Sequence, residues 1–201
     1  MKQELLDLWF DGARGDALDM SGPLMKRWFS VDPAFDERLR TQFGAELDRA
    51  ARGELGDWCT TPEGALAFVV LCDQFSRNMH RGTPRAFATD PLALHTTLVT
   101  LARGEHTALR IPERVFLLMP LMHSESVAIH DLVAREFGAV VAAAESSAPG
   151  FVGYAKNTLD YEGRHRAIVE RFGRYPHRNA ILGRSSTPEE LEFLKQPGSS
   201  F

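Results

Sequence analysis

The sequence predicts an all-α protein, a single domain in which antiparallel helical hairpins stack side by side. Apolar residues recur three and four positions apart along most of the 201 residues, as they do on the buried face of a helix. A capping residue followed by proline marks one helix start after another. No stretch shows the strict alternation of a half-buried strand, so a sheet is not expected.

The first part of the chain contains three helices. Residues 2–10 (KQELLDLWF) place leucines and a tryptophan on one face, residues 12–22 form a glycine-rich loop, and PLMKRWF forms a second short helix. A long helix begins at Asp32-Pro33, because aspartate caps the open N–H groups and proline fits the first turn, where its missing N–H costs nothing.

The same start signal recurs along the rest of the chain, at Thr61-Pro62, Thr83-Pro84, Asp90-Pro91, Ile111-Pro112 and Thr187-Pro188. We expect Pro120 to kink or split the long apolar helix that begins near Ile111, because proline removes a hydrogen bond of the helix interior. Gly173 is expected to end the helix that follows the SSAPG break at 146–150.

Composition narrows the classes of partner. The net charge of −4 and a pI near 6.0 provide no global basic field for nucleic acid or an anionic membrane, so DNA is not an expected partner. Cys59 and Cys72 lack any zinc or disulfide spacing, which suits a reducing compartment. The N-terminus lacks the apolar core of a signal peptide, and no run is long enough to span a membrane. We therefore expect a cytoplasmic protein without a membrane partner.

A weak internal echo divides the chain into halves of about 1–100 and 101–201. Arg77-Asn78 and Arg178-Asn179 are each followed by three residues and a glycine, and then by a Thr-Pro helix start. Both chance and an internal duplication within one domain account for this pattern.

The segment 171–184 (RFGRYPHRNAILGR) concentrates cationic and aromatic residues. If Pro176 starts a helical turn, Arg174, His177 and Arg178 share one face, and their donors could bind a phosphate or carboxylate. The alternative is structural: Arg178 and Asn179 are buried at a helix end, and the arginine then needs a carboxylate partner. The candidate partners are Asp73, Glu125, Asp160 and Glu162.

The segment LMPLMHSESVAIHD places three successive polar residues, His123, Ser124 and Glu125, inside an otherwise apolar helix. Each of them costs desolvation free energy unless it is paired, which favours a site, although a satisfied core histidine is equally compatible. His130 lies seven residues after His123 and so on the same helical face.

Two further groups carry titratable side chains. Glu162 and His165 have the Glu-x-x-His spacing of di-metal bundles, but a single copy does not make such a site, and a surface pair fits as well. Asp73 and Arg77 are four residues apart next to a very apolar stretch, which predicts an ion pair near the core.

Three motifs taken together resemble a known family. DQFSRNMHRGTPRAFATD, PLMHSES and RFGRYPHRNAILGRSSTPEELEFL are similar to the bacterial family known as domain of unknown function 924, over nearly the whole chain from Leu5 to Leu194. The resemblance implies an all-α fold with a tetratricopeptide-like superhelix. It also implies that the site lies among the residues that match the family pattern. These are Asp73, Gln74, Arg77, Asn78, His123, Ser124, Glu125, His165, Arg171, Phe172, Gly173, Arg174, Pro176, His177, Arg178, Asn179, Gly183 and Arg184. Ser76 stands where the family usually has proline.

Two classes of function follow. The first is a hydrolase of phosphate esters, with RNA or a nucleotide-like phosphodiester as substrate, in which arginines neutralise the phosphate and a histidine transfers the proton. Its expected catalytic residues are His123, Glu125, His165 and His177, and its expected substrate-binding residues are Asp73, Arg77, Asn78, Ser124, Arg174, Arg178, Asn179 and Arg184.

Under this hypothesis Glu125 orients a histidine or holds a hydrated Mg²⁺, although no set of metal ligands is predicted. The alternative class is a non-catalytic helical scaffold that binds a peptide or protein in its groove. A pocket that binds or hydrolyses a small carboxylate is a third idea. Convergence of the three histidines and Glu125 in a solvent-reachable cleft would favour the enzyme.

Overall fold

The structure, a computed structural model, describes residues 1–200 and confirms the all-α fold. Within those residues the only β-type contact is an isolated bridge between Ala17 and Gly150. The helices are α1 (Lys2–Phe10), α2 (Pro23–Phe29), α3 (Pro33–Ala51), α4 (Pro62–Val69), α5 (Ser76–Met79), α6 (Asp90–Ala102), α7 (Ile111–Met122), α8 (Val127–Ser147), α9 (Val152–Phe172) and α10 (Pro188–Phe193).

Shorter helical turns connect several of these helices. A π-helical turn (Val70–Phe75) joins α4 to α5, and 3₁₀ turns lie at Gly56–Thr60, Pro84–Phe87, Glu105–Ala108 and Pro176–Arg178. The last of these confirms the predicted turn that begins at Pro176. The superhelical arrangement of the hairpins stays a prediction.

The predicted helix boundaries follow from local hydrogen bonds. The Asp32 carboxylate accepts from the backbone N–H groups of Ala34 and Phe35 at 3.0 and 3.1 Å, which satisfies two open donors of α3. At the other kind of boundary, Gly173 ends α9 with a φ of 68°, a left-handed conformation that side chains disfavour.

The core surrounds α4 and α7, whose residues are buried on nearly every side. Four aromatic rings from three helices meet there: Trp9 and Phe10 of α1, Trp28 of α2 and Phe116 of α7. The ring centroid of Phe116 lies 5.4 Å from that of Trp9 and 4.7 Å from that of Trp28, mostly edge to face. α8 and α9 pack on this core as a hairpin closed by a short connection at 148–151.

The structure corrects the prediction that His123, Ser124 and Glu125 lie inside a helix. α7 ends at Met122 and α8 begins at Val127, so these residues form the connection between the two helices. Pro120 sits in the last turn of α7, where its missing N–H leaves no bond to the Phe116 carbonyl, and the helix stops two residues later. His130 therefore belongs to α8 and does not continue a face of His123.

No helix among residues 1–200 combines the length and apolar character needed to cross a membrane.

Replacing Phe116 with Ala should lower the free energy of unfolding by about 3–5 kcal/mol, because the ring is fully buried among other rings and its loss leaves a cavity. Urea unfolding followed by circular dichroism measures the change. The matched control is Leu191→Ala on the exposed side of α10, which should change stability by less than ~0.5 kcal/mol. A Phe116→Ala variant as stable as this control would contradict the described core.

Candidate functional site

The candidate site is a cavity of about 880 Å³, here called the main cavity, between α2, the π-helical turn, α7, α9 and the 3₁₀ turn that begins at Pro176. His123, His165 and His177 all line it, as do Arg77 and Arg178. The structure thus brings together three of the four predicted catalytic residues and, with Asn78, three predicted binding residues. Its volume falls in the range of small-molecule sites.

Asp73 is positioned by the π-helical turn, a wide turn that is often found at functional sites. Its carboxylate is completely buried and accepts a hydrogen bond from the Gln74 side chain at 2.6 Å. It also forms the predicted ion pair with Arg77, at 3.0 Å. Burial alone would raise the pKa of Asp73, but the nearby charge of Arg77 and the contact with His123 outweigh burial and hold the pKa below its usual range. The buried carboxylate is therefore charged.

His123 contacts this carboxylate through its Nδ1, which lies 2.7 Å from Asp73 Oδ1. Because the carboxylate only accepts, Nδ1 carries the proton and Nε2 keeps its lone pair. Burial is the main cause that lowers the pKa of His123, and Arg77 lowers it further against the opposing effect of Asp73. A neutral imidazole, oriented by an ionised carboxylate, thus lines the main cavity.

Asp90 is shared by the two arginines of the site. Arg77 binds both of its oxygens, at 2.8 and 3.0 Å, whereas the Arg178 guanidinium approaches only to 3.5 Å. The sequence did not predict this partner; Asp90 was interpreted only as a helix start, and no local signal links it to Arg178, 88 residues away.

Arg178 is buried, with 9% of its side chain exposed. Its Cζ lies 4.9 Å from the ring centroid of Phe87 and 4.7 Å from that of Tyr175, so aromatic rings surround the charge. Its Nε has no hydrogen-bond partner among residues 1–200. Burial lowers the pKa of Arg178, and Arg77 adds to this effect. Within the described chain, this cation is incompletely neutralised.

His165 and His177 line the main cavity on either side of Tyr175. The ring of His165 lies 6.4 Å from that of His123 and 5.8 Å from that of Tyr175, which in turn lies 5.6 Å from His177. The His165 Nδ1–H donates to the Tyr161 carbonyl at 2.8 Å. Burial lowers the pKa of His165 to about 3 and that of His177 to about 4. Both imidazoles are therefore neutral near pH 7.

Glu125 and Ser124 lie beside the main cavity and do not line it. The Glu125 carboxylate accepts from both terminal nitrogens of Arg184, at 2.7 and 2.9 Å, and from the Tyr175 backbone N–H at 2.8 Å. The Ser124 carbonyl lies 3.0 Å from His130 Nε2. These contacts are structural: Glu125 and Arg184 fix the C-terminal segment near the end of α7, and the Ser124 carbonyl contacts His130 of α8. The histidine-orienting carboxylate predicted at Glu125 is supplied by Asp73 instead.

His130 and Glu162 form a second buried pair, with 2.7 Å between His130 Nδ1 and Glu162 Oε1. This explains why Glu162 does not pair with His165, despite their helical spacing. The Tyr175 hydroxyl donates to the Met122 carbonyl at 2.5 Å and lies 3.3 Å from His130 Nε2. Tyr175 thereby connects this pair to the wall of the main cavity, a role that sequence analysis missed.

Arg174 and Asn179 bind Glu190 of α10, outside the main cavity. Glu190 accepts from Arg174 at 2.6 and 2.8 Å and from the Asn179 amide at 3.3 Å. The expectation that Arg174 shares a face with His177 and Arg178 is therefore wrong. The extended backbone of Tyr175 separates Arg174 from the turn and points it the other way.

The two Arg-Asn pairs of the sequence echo occupy corresponding places. Each arginine contacts Asp90, while each asparagine contacts a buried carboxylate on its own side. For Asn78, which lines the main cavity, that carboxylate is Asp36, 2.9 Å away and also bound by Arg81.

No three His, Cys, Asp or Glu side chains within residues 1–200 come together as metal ligands. A smaller cavity of about 460 Å³ lies at the start of α7. Its arginines, Arg110 and Arg114, donate to backbone carbonyls and connect loops to this helix. The main cavity is therefore the candidate site.

The protein is thus all-α, with a cavity lined by three histidines and by Arg77 and Arg178. The model of a family described as bacterial proteins of unknown function, DUF924, matches residues 5–198, and the chain belongs to this family. A solved structure of a protein of unknown function from Agrobacterium tumefaciens is 34% identical, with 96% of each chain covered and a TM-score of 0.76. No curated protein matches the chain.

Replacing Glu190 with Gln should destabilise the protein at neutral pH, because it weakens the bonds from Arg174 and Asn179. The hydrogen bond from Arg174 lowers the pKa of Glu190 to about 2, from an ordinary 4.5. The stabilisation is therefore fully present above the ordinary pKa and disappears as the pH falls through the folded-state value.

The free energy of unfolding in urea, measured for both proteins from neutral pH down to about pH 2, should show a gap that narrows below about pH 4.5. Glu189→Gln, which changes the neighbouring exposed carboxylate, should show little gap at any pH. A Glu190→Gln gap that is independent of pH would contradict this assignment.

Proposed function

We propose that this protein hydrolyses a phosphate ester of a small molecule bound in the main cavity. The observation that carries the proposal is the juxtaposition, in one cavity wall, of an incompletely neutralised buried arginine and a histidine oriented by an ionised carboxylate. Anion binding and proton transfer are the two tasks that such a reaction requires.

Arg178 supplies the anion-binding group. Asp90 accepts two short hydrogen bonds from Arg77 and only one long one from Arg178, so a single carboxylate has to neutralise two guanidiniums. A buried charge with an incomplete partner is costly, and a phosphate offers the several oxygens that a planar guanidinium can bind. The surrounding apolar rings strengthen this attraction because they keep the local dielectric low.

His123 supplies the general base. Its protonated Nδ1 is held by Asp73, which leaves Nε2 to accept a proton from an attacking water. The water oxygen forms a bond to phosphorus, the bond from phosphorus to the ester oxygen breaks, and His123 returns the proton to the leaving alkoxide. His165 and His177 are neutral near pH 7, so they serve in this scheme as hydrogen-bonding groups along the wall.

A small substrate is favoured over a long RNA. The site is a cavity with an apolar wall, and many arginines outside it are already paired with carboxylates, as Arg52 is with Glu54 and Arg166 with Glu170. A protein that follows an RNA backbone needs an extended cationic surface, which the net charge of −4 does not favour.

Non-catalytic binding of a peptide or protein is the second candidate. It is favoured by exposed apolar side chains of Met20, Phe29 and Val31 beside the same cavity. Under this alternative no ester is cleaved, and substitution of His123 leaves binding of the partner unchanged.

Purified protein should release nitrophenol from 4-nitrophenyl phosphate or its bis ester, and His123→Gln should lower kcat by about 10²–10⁴-fold. The matched control is His95→Gln, which changes an exposed histidine of α6. Reactions with Mg²⁺ and with a chelator test the metal requirement, and labelled single-stranded RNA tests the larger substrate. Activity that survives in folded His123→Gln protein would sink the proposal.

Arg178→Ala should weaken the binding of inorganic phosphate by roughly tenfold to a hundredfold, the effect of losing a charged hydrogen bond. Titration calorimetry measures this effect, with exposed Arg135→Ala of α8 as control. If Arg178→Ala fails to fold by circular dichroism, Arg178→Lys, which keeps the charge and loses the planar fork, replaces it. Unchanged phosphate binding in either folded variant would remove Arg178 from the site.

The pH profile of kcat/KM gives an independent check. The base acts in its neutral form, and burial holds the pKa of His123 below the ordinary 6.5. Activity should therefore be constant near neutral pH and fall on the acid side, with an apparent pKa below 6.5. An acid limb centred above that value would be inconsistent with His123 as the base.

A further inference from the structure

The main cavity has two chemically different ends along one face of α9. Tyr154, Thr158, Tyr161 and His165 of that helix all line it, at intervals of three or four residues. Tyr154 and His165 are eleven positions apart, which corresponds to about 16 Å of helix at a rise of 1.5 Å per residue. The His165 end meets the histidines and arginines described above, so the Tyr154 end lies well beyond the reach of a phosphate bound there.

The Tyr154 end is apolar. Trp28 lies 5.9 Å from the Tyr154 ring between centroids, and Met25 and Phe29 of the same helix also line the cavity. The one hydroxyl of Thr158 donates to the Tyr154 carbonyl, at 3.0 Å, and so is already used. Most of the lining of this end is therefore apolar, although Lys26, Asn157 and the buried Tyr154 hydroxyl also lie there.

Met119 joins the two ends. The Gln74 amide donates to the Met119 sulfur at 3.4 Å and to the Asp73 carboxylate at 2.6 Å. Met119 is therefore next to the pair formed by Asp73 and His123. Methionine side chains adapt to varied apolar shapes. The cavity wall thus runs without interruption from charged groups to flexible and aromatic apolar ones.

Apolar surface also remains open to solvent at the α2 side of the cavity. Phe29 is 55% exposed and Val31 is 69% exposed, and both line the cavity. A ligand that covered these side chains would gain the free energy of apolar burial.

We infer that the substrate is an amphipathic phosphate ester, with its phosphate at Arg178 and an alkyl or aryl arm that runs along α9 towards α2. The phosphate head rests on the proposed function; the apolar arm rests on the wall from Met119 to Phe29. The sugar hydroxyls of a nucleotide would meet mainly methionine and aromatic side chains in this region, with Lys26 and Asn157 beside them, so we expect a nucleotide to be the poorer ligand.

A series of phosphate monoesters tests the arm. Titration calorimetry of the full chain with methyl, butyl, hexyl and phenyl phosphate should show an affinity that rises at least tenfold from methyl to hexyl; complete burial would give about fourfold per methylene. Adenosine monophosphate should bind more weakly than hexyl phosphate. An affinity that is independent of arm length, or a preference for the nucleotide, would overturn the inference.

Two substitutions locate the arm. Phe29→Ser changes an exposed side chain and should preserve the fold, while Met25→Gln changes the wall beside it; each should lower the affinity for hexyl phosphate severalfold and leave that for inorganic phosphate unchanged. Met25→Leu should retain the affinity for hexyl phosphate. Equal losses for both ligands, or no loss for either in the folded Phe29→Ser protein, would contradict this placement.

Hexanoate and decanoate separate this inference from the proposed function. If the phosphates bind with an affinity that does not depend on arm length, the proposed phosphate site is supported and the inferred apolar arm is rejected. If no phosphate binds, but the carboxylates bind with an affinity that rises with chain length, the apolar arm is supported and the proposed hydrolysis of a phosphate ester is rejected.

Discussion

The shared ion pair at Asp90 is the contact on which the rest of the site depends. One carboxylate at the start of α6 faces two guanidiniums, Arg77 and Arg178, from opposite halves of the chain. It holds the turn that begins at Pro176 near α5, which carries Arg77, and both arginines line the main cavity. Asp90 accepts two short hydrogen bonds from Arg77 and only a long one from Arg178. The positive charge of Arg178 is therefore incompletely neutralised. The architecture of the site and the proposed binding of an anion thus depend on the same contact.

The segment 171–184 divides between two tasks. Arg174 and Asn179 bind Glu190, and Arg184 binds Glu125, so these side chains fix the segment in place. His177 and Arg178 face the cavity. A buried cation tolerates an incomplete partner only where its backbone cannot move away, and the fully paired neighbours supply that restraint. The structural interpretation of this segment is confirmed for Arg174, Asn179 and Arg184, and anion binding stays a proposal for Arg178.

Local signals in the sequence predicted the helices well. They predicted far fewer of the side-chain contacts between residues distant in the chain. The Asp-Pro cap at α3 and the glycine after α9 act within a few residues, so the sequence alone locates them. The pairing of His123 with Asp73 joins residues 50 positions apart, and no spacing rule identifies such a partner. Nearby Glu125 was the natural choice, and the break after α7 turns it towards Arg184 instead.

The order in which the site is built follows from where its residues stand in the chain. Asp73, Asp90 and His123 are made first, and His177 and Arg178 follow at least 54 residues later in the chain. During synthesis from the N-terminus, the proton-transfer pair can be assembled while the anion-binding side of the wall has not yet been made. A chain still held by the ribosome therefore has an open half-site. Under the proposed function, the site is complete only once the turn that carries His177 and Arg178 has packed against the earlier helices.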